Sequence, residues 1–588
     1  MSQDTSSSLF SVITSHFSDS ALSGVPREIQ LGTLDSELET IEKALYRARR
    51  MRNEKVGACM LPREVIVRII EDLQSIWRPR RVYIDGNQTD TFKAGWMSVS
   101  HVCTLWREIV LSEPLLWSKP TIDVLDFPYR YIPDILIRSH SAPLDLNIEY
   151  ADDDPRTHSI LSVWLLPAML RRARRLRIDC EASELIERIS THMSRSSDFI
   201  YLKELHVASD YLDEPIPLPA PFWSLPHVTS LSLHNFQVPW TSPIMSSRLT
   251  KLHLSRDFVG DRLSYDEFRI VLSSLRFLED LHLADVMPHL GPIGAWHPTK
   301  ILLPNLRQLS TIFTDHAEGS RLILLLDLPS RCVREHMFRF WSEVEDISSK
   351  TDALGRLLPA MALAGHDDIE LRHLHVDYYR MLLLTTVISS HYMSSSSQPS
   401  SLSKDITNTL HLGSLLLHDK EKPGNHASSY IPYVPLKHLE TISLDVSSVR
   451  HINEENLWPH LLHANSVRRL ALSETGTKSI DRYSPLILDV LRVPHATGTG
   501  GESRMLFPAL QVLAFPLSQD LAVHREFVIG LIDLIHARQD HGVPLHELNV
   551  SREAGPWAVW DSLRTKLKVT LIDYPKMGSP LMPESSRV

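Results

Sequence analysis

From Leu202 onward one apolar template, L-x-x-L-x-L, keeps returning: Leu202-Leu205-Val207, Val228-Leu231-Leu233, Leu249-Leu252-Leu254 and Leu278-Leu281-Leu283. It reappears as Leu371-Leu374-Val376, Leu412-Leu415-Leu417, Leu439-Ile442-Leu444, Val467-Leu470-Leu472, Leu510-Leu513-Phe515 and Leu545-Leu548-Val550. The central leucines 205, 231, 252 and 281 stand 26, 21 and 29 residues apart. The last two apolar positions of each copy are two apart, the spacing that puts side chains on one face of a strand. A short strand with one apolar face cannot bury it alone, so successive units must stack, strand beside strand, with helices in the connections. The expected fold class is therefore α/β, with parallel strands and helices.

These steps resemble the leucine-rich repeats, whose period is about 20 to 29 residues. The array is ragged. Central positions 309 and 374 lie 65 residues apart, room for a further strand around Val333 to Trp341 and for extra helices. Segments 389–404, 419–430 and 494–504 read as polar loop insertions. The position three after the last apolar residue, often Asn in that family, is here Phe236, Asp257, Val286, Ser447 and Thr475, so no asparagine ladder is expected along the turns. The implied architecture is an irregular leucine-rich-repeat-like solenoid.

Upstream, residues 1–26 are Ser-rich and read as a tail. Leu31, Leu34, Leu38, Ile41, Leu45 and Ala48 then recur in alternating steps of three and four, one helical stripe with Thr33 as its cap and basic residues at its end. About two and a half heptads fall short of a coiled coil, so a helix packed on its own chain is expected. The next signal is LPREVIVRIIEDLQ (61–74), with Val65, Ile66, Ile69, Ile70 and Leu73 at helical spacing behind Pro62. A polar stretch with Pro79, Gly86 and Gly95 follows, and then Val99, Val102, Cys103, Trp106, Ile109 and Val110 fall on one face of a second helix that Pro114 ends.

Leu61-Pro62-Arg63-Glu64, Trp96, the run Val99 to Arg107 and Pro114-Leu115-Leu116-Trp117 together resemble an F-box of the kind abundant in mushroom-forming fungi. The upstream heptad-like helix is similar to one often seen before such an F-box. The stretch from Gln74 to Gly95 is longer than the minimal F-box connection. The chain is thus expected to comprise a disordered tail (1–30), an amphipathic helix (31–57), a three-helix F-box (58–120), the solenoid (121–575) and a second tail (576–588).

The resemblance implies the substrate-recognition subunit of an SCF-type (Skp-cullin-F-box) ubiquitin ligase. The F-box would bind the Skp adaptor, through Leu61, Pro62, Val65, Ile66, Ile69, Val99, Val102, Cys103 and Trp106, and the solenoid would hold an unidentified target protein. The alternative is a leucine-rich-repeat scaffold outside any ligase, which the long 74–95 stretch keeps open.

Composition trims the other classes. A formal charge of −10 lacks the basic bias of nucleic-acid binding. Apolar runs such as Leu322 to Leu326 and Met381 to Ile388 fall far short of the roughly 20 residues a membrane span needs. The N-terminus carries no secretory signal pattern, so a cytoplasmic or nuclear address is expected. Four scattered cysteines give neither a disulfide framework nor a C-x-x-C pair, and redox chemistry is not expected. No G-x-S-x-G, G-x-x-x-x-G-K or H-E-x-x-H occurs, so no catalytic residue, cofactor or metal is assigned and the chain is read as a non-enzyme.

Thirty histidines are the compositional peculiarity. The residue between the two inward positions of each strand points to the opposite face, and there stand His206, Ser232, His253, His282 and His375, with Arg177, Ser310, Ser443 and Asn549. This face is the expected partner-binding surface, with binding sensitive to pH near the histidine pKa of roughly 6.5. His373, His375 and Asp377 share a strand face at a spacing compatible with a metal, but solvated histidines are the simpler reading. The basic runs Arg171 to Arg177 and Arg78 to Arg81 read as solvated, and Trp96, Trp106 and Trp117 as core anchors.

Overall fold

The computed structural model describes residues 3–18, 24, 26–82, 91–119, 123–150, 155–180, 183–194, 199–209, 216–225, 227–257, 262–290, 299–329, 332–340, 372–376, 381–384, 409–412, 416–417, 427–473, 480–496, 503–517 and 525–572. The fold is α/β, with parallel strands and helices, in two compact units: residues 1–178 with 195–202, and 179–194 with 203–588.

The first unit begins with α1 (Gln3–His16), a helix where the composition suggests a tail. Helix α2 (Arg27–Glu54) starts behind Pro26, ahead of the expected cap, and Thr33 donates its hydroxyl to the Ile29 carbonyl inside it. Leu34 and Ile41 are half-buried, and His16 of α1 lies 3.7 Å from Glu37, so the helix meets its own chain, but none of its residues is fully buried. The reason is geometric: steps of three and four make a narrow seam, not the broad apolar face that a globular helix lays on a core.

Helix α3 (Arg63–Ile76) turns Ile66, Ile70 and Gln74 inward, and the Gln74 amide donates to the Leu116 carbonyl at 2.8 Å. The polar stretch after it is partly ordered as an antiparallel ribbon, β1 (Arg80–Val82) with β2 (Thr91–Lys93). Gly95 closes its base with φ +53°, where a Cβ would lie 2.5 Å from the backbone of Trp77, Arg78 and Pro79. The next segment is not one helix. A 3₁₀ stretch, Gly95–His101, ends at an extended Cys103, and α4 (Thr104–Ser112) starts afresh. The tighter 3₁₀ winding turns the apolar positions out of a common stripe, and Val102 is left in solvent. Trp96 and Trp117 are the anchors, ring centroids 5.3 Å apart, with the Trp117 indole donating to the Val110 carbonyl. Beyond them run β3 (Leu144–Tyr150) and β4 (Ala173–Cys180), whose final residues belong to the second unit. The basic runs are not simply solvated: Arg174 grips Asp145 with two hydrogen bonds, Arg172 donates to the Ser139 hydroxyl and the Ala142 carbonyl, and Arg81 donates to the carbonyls of Leu125 and Asp126.

The second unit is organised by one long sheet. Strands β5 (Glu204–Ala208), β6 (Ser230–His234), β7 (Lys251–Ser255), β8 (Asp280–Ala284), β9 (Gln308–Phe313) and β10 (Val333–Phe340) pair in parallel, in chain order. Register aligns the template: Leu205, Leu231, Leu252, Leu281 and Leu309 form one buried column, and Val207, Leu233, Leu254, Leu283 and Thr311 the next. Strand β10 fills the position expected near Val333.

The sheet then departs from a purely parallel array. β13 (Thr409–Leu412) pairs parallel to β10 and antiparallel to β12 (Met381–Leu384), which is antiparallel to β11 (His373–Val376). Leu412, expected to open a further repeat, thus lies in a reversed hairpin, because alternating apolar residues specify a face and not a direction. Parallel order resumes from β11 through β14 (Thr441–Asp445), β15 (Arg469–Ser473), β16 (Val512–Phe515), β17 (Glu547–Ser551) and β18 (Lys568–Ile572). The loops expected at 419–430 and 494–504 include a 3₁₀ turn at Ala427–Tyr433 and a short ladder joining His495–Ala496 to Ser503–Arg504; 389–404 lies outside the described residues.

Helices occupy the connections. α5 (Tyr265–Ser274) opens with a capping box of Ser264 and Glu267, α6 (His316–Leu324) with Asp315 accepting from the Glu318 amide, and α7 (Val446–Glu454) with Asp445 accepting from the Ser448 amide. Each cap satisfies a backbone donor that the turn into a helix leaves without a partner. α8 (Ile480–Arg492) and α9 (Arg525–Asp540) approach closely at Gly530, where a Cβ would lie 3.3 Å from Leu488.

A turn ladder does exist, one residue earlier than expected. Asn235, two positions after Leu233, is buried at φ +60°; its amide donates to the Ser209 carbonyl and its oxygen accepts from the Asp257 backbone N–H, both at 2.8 Å. Asp285 (φ +52°) likewise accepts from the Thr314 N–H at 2.7 Å. Asn and Asp tolerate the left-handed conformation, so they both turn the chain and bond its backbone.

Candidate interaction surfaces

Two surfaces follow from these folds, one in each unit. In the first, the nine residues assigned to adaptor contact separate by burial. Ile66 and Val99 are core; Ile69, Cys103 and Trp106 are half-buried; Leu61, Pro62, Val65 and Val102 are exposed, the three apolar side chains other than proline at 37%, 42% and 64%. Ile66 and Val99 therefore hold the fold and are withdrawn from the contact set: within a helix as short as α3, periodicity names the inward stripe, and a docking surface needs the flank.

A contact that sequence spacing does not reveal joins the turn before Leu61 to the residue after Val102. Cys59, on the 3₁₀ turn Gly57–Cys59, places its Sγ 3.7 Å from Cys103 Sγ. Leu61 follows Cys59 by two residues and Val102 directly precedes Cys103. Arg63 adds a clasp, donating to the Ser112 hydroxyl at 2.9 Å and lying 3.5 Å from Glu113. Burial pushes the Cys59 thiol above its ordinary range, with Cys103 adding to the rise and the Trp106 side chain opposing it. The result is a small apolar corner flanked by the exposed Met60.

In the second unit, His206, Ser232, His253 and His282 are register neighbours on the face opposite the leucine columns, all half-buried. Their surroundings are more acidic than strand alternation suggested. His206 has Nε2 3.0 Å from Asp179 Oδ1 and Nδ1 2.8 Å from the Ser232 hydroxyl. His253 Nε2 is 3.2 Å from Asp280, and His234, one column across, is 3.3 Å from Asp257. The rings of His253 and His282 lie 5.6 Å apart. The signal for the missed partners is cross-strand: Asp280 lies on the strand of His282 but meets His253 on the neighbouring strand, and Asp257 and Asp179 likewise reach theirs only through loop and register.

His375 does not belong to that surface. His373 and His375 are both buried, as are all of β11 and β14, and Ser443 and Asn549 are buried too. His375 Nδ1 is instead 3.1 Å from Ser443 Oγ. Both faces of the sheet are covered at β11 and β14, though not at β18, and alternation cannot distinguish a covered outer face from an open one. Asp377 lies outside the described residues, and among the described residues no group of three His, Cys, Asp or Glu is placed to hold a metal. No described helix is long and apolar enough to cross a membrane.

The chain matches no protein-family model, and no curated protein matches it.

Proposed function

We propose that this chain is the substrate-recognition subunit of an SCF-type ubiquitin ligase. The helical corner binds a Skp adaptor, the parallel array is an irregular leucine-rich-repeat-like solenoid, and its His-Asp face over β5 to β9 holds a target protein. The chain would do no chemistry itself; it raises the effective concentration of the target beside a charged conjugating enzyme in the cytoplasm or nucleus. The observation that carries this reading is the separation of the 61–76 segment into a buried side, Ile66 and Ile70, and exposed apolar residues Leu61, Pro62 and Val65, with Val102 exposed beside Cys103. A few clustered apolar anchors of this kind dominate the energy of a protein interface.

The test is capture of a purified Skp adaptor by the full chain and by a Leu61→Asp, Val65→Asp variant, which alters only exposed positions. Capture by the parent and a loss of about 100-fold in the variant sustain the proposal. A folded parent chain that captures no adaptor moves the assignment to an interaction scaffold outside any ligase.

A further inference from the structure

We propose that Cys59 and Cys103 are a reversible thiol–disulfide couple that locks the apolar corner of the helical unit. Their sulfurs are 44 residues apart in sequence and 3.7 Å apart in space. A disulfide needs about 2.0 Å, so closure asks for an approach of under about 2 Å. The chain can supply it. Cys59 sits on a three-residue turn with no buried residue, between the end of α2 and Leu61, and Val56, Gly57, Ala58 and Met60 around it are exposed. Cys103 is the fixed partner, held in extended backbone as the residue that opens α4.

Both thiols are half-buried, open enough for a small reagent and sheltered enough to favour each other over solvent. Cys332 is the internal contrast in access: it is buried, and burial pushes its thiol up to about 12.

The oxidant class is a small-molecule disulfide. One cysteine thiolate attacks it, its S–S bond breaks, one small thiol leaves, and a mixed disulfide remains on the protein. The second cysteine then attacks that mixed disulfide and expels the other small thiol. Two protein S–H bonds have become one S–S bond, and the reagent has taken up the two electrons and two protons. Closure pins Leu61 and Pro62 to Val102, so the corner exists in a loose reduced form and a fixed oxidised one. This holds whatever the corner binds; only its effect on adaptor capture rests on the function proposed above.

The experiment treats the folded full-length chain with oxidised glutathione and maps its peptides without reduction, beside Cys59→Ser and Cys103→Ser variants checked for parent-like circular dichroism. Expected are a peptide joining Cys59 to Cys103, loss of two titratable thiols, restoration by a reducing thiol, and no such loss in either variant. Glutathione left on both cysteines with no joined peptide, or pairing only between separate chains, overturns the couple. Because adaptor capture is not a readout, failure of the ligase assignment leaves the result intact.

Discussion

Thr311 Oγ1 lies 2.7 Å from His336 Nδ1, across two neighbouring parallel strands, in a column that carries Leu283, Leu254 and Leu233 on its other strands. The imidazole is fully buried, and desolvation, with Arg334 adding to it, drops its pKa to about 3. The native state therefore holds His336 neutral, while the unfolded chain takes up a proton below about 6.5. Stability from this group is complete above that value and is lost as pH falls toward 3, by about 1.4 kcal/mol per unit. Urea unfolding at mildly acidic and neutral pH should show this slope. A Thr311→Val, His336→Leu double change, which removes both partners of the hydrogen bond, should flatten it.

Asp123 has the opposite sign. Burial raises its carboxyl to about 7 while its oxygen still caps the turn by accepting from the Leu125 N–H at 3.0 Å. The folded state binds the proton more tightly than the unfolded one, so stability falls as pH rises from about 4 to 7. Asp123→Asn keeps the acceptor and removes the charge. It should raise the stability of the helical unit by about 2 kcal/mol at pH 7.5, screening included, and by little at pH 4.

Val65 and Ile66 are adjacent in sequence and opposite in environment, one exposed and one fully buried. Ile66→Ala should cost about 3 kcal/mol in denaturant unfolding. Val65→Ala should cost less than about 0.5 kcal/mol. The separation of fold from surface at this corner is wrong if the two variants melt alike.

Gly95→Ala places a methyl group into the backbone of Trp77 and Arg78 and holds alanine at positive φ. A loss of about 3 kcal/mol or more is expected, read as early unfolding of the ribbon and α3 by hydrogen exchange.

Asn235→Ala removes partners from the Ser209 carbonyl and the Asp257 N–H and leaves a left-handed alanine. The expected cost is about 2 kcal/mol, measured by thermal unfolding. Asn235→Gly should recover only the conformational part.

What the sequence made legible was whatever repeats through physics local to one strand. Leu205 to Leu309 announce their column because each must face the same core, and Pro62 announces α3 because proline suits a helix start. The reversal at β12 was hidden, since Leu382 and Leu383 would read the same in either direction. The Asn235 ladder was hidden by an offset of one residue, and the burial of His375 by whatever covers its face. At the corner, residue types were legible but their division was not, because Cys59 meets Cys103 through tertiary structure alone.

Across β5 to β9 the outer face of the sheet is open over a measurable width. The central outward residue of each of these five strands is half-buried, whereas β14 is buried on both sides. At about 4.8 Å between neighbours the stretch is about 20 Å wide. An extended chain crossing it covers that distance with about six residues. The unit thus carries a ruler as well as a surface: a linear segment of about six residues crosses these five strands in one pass.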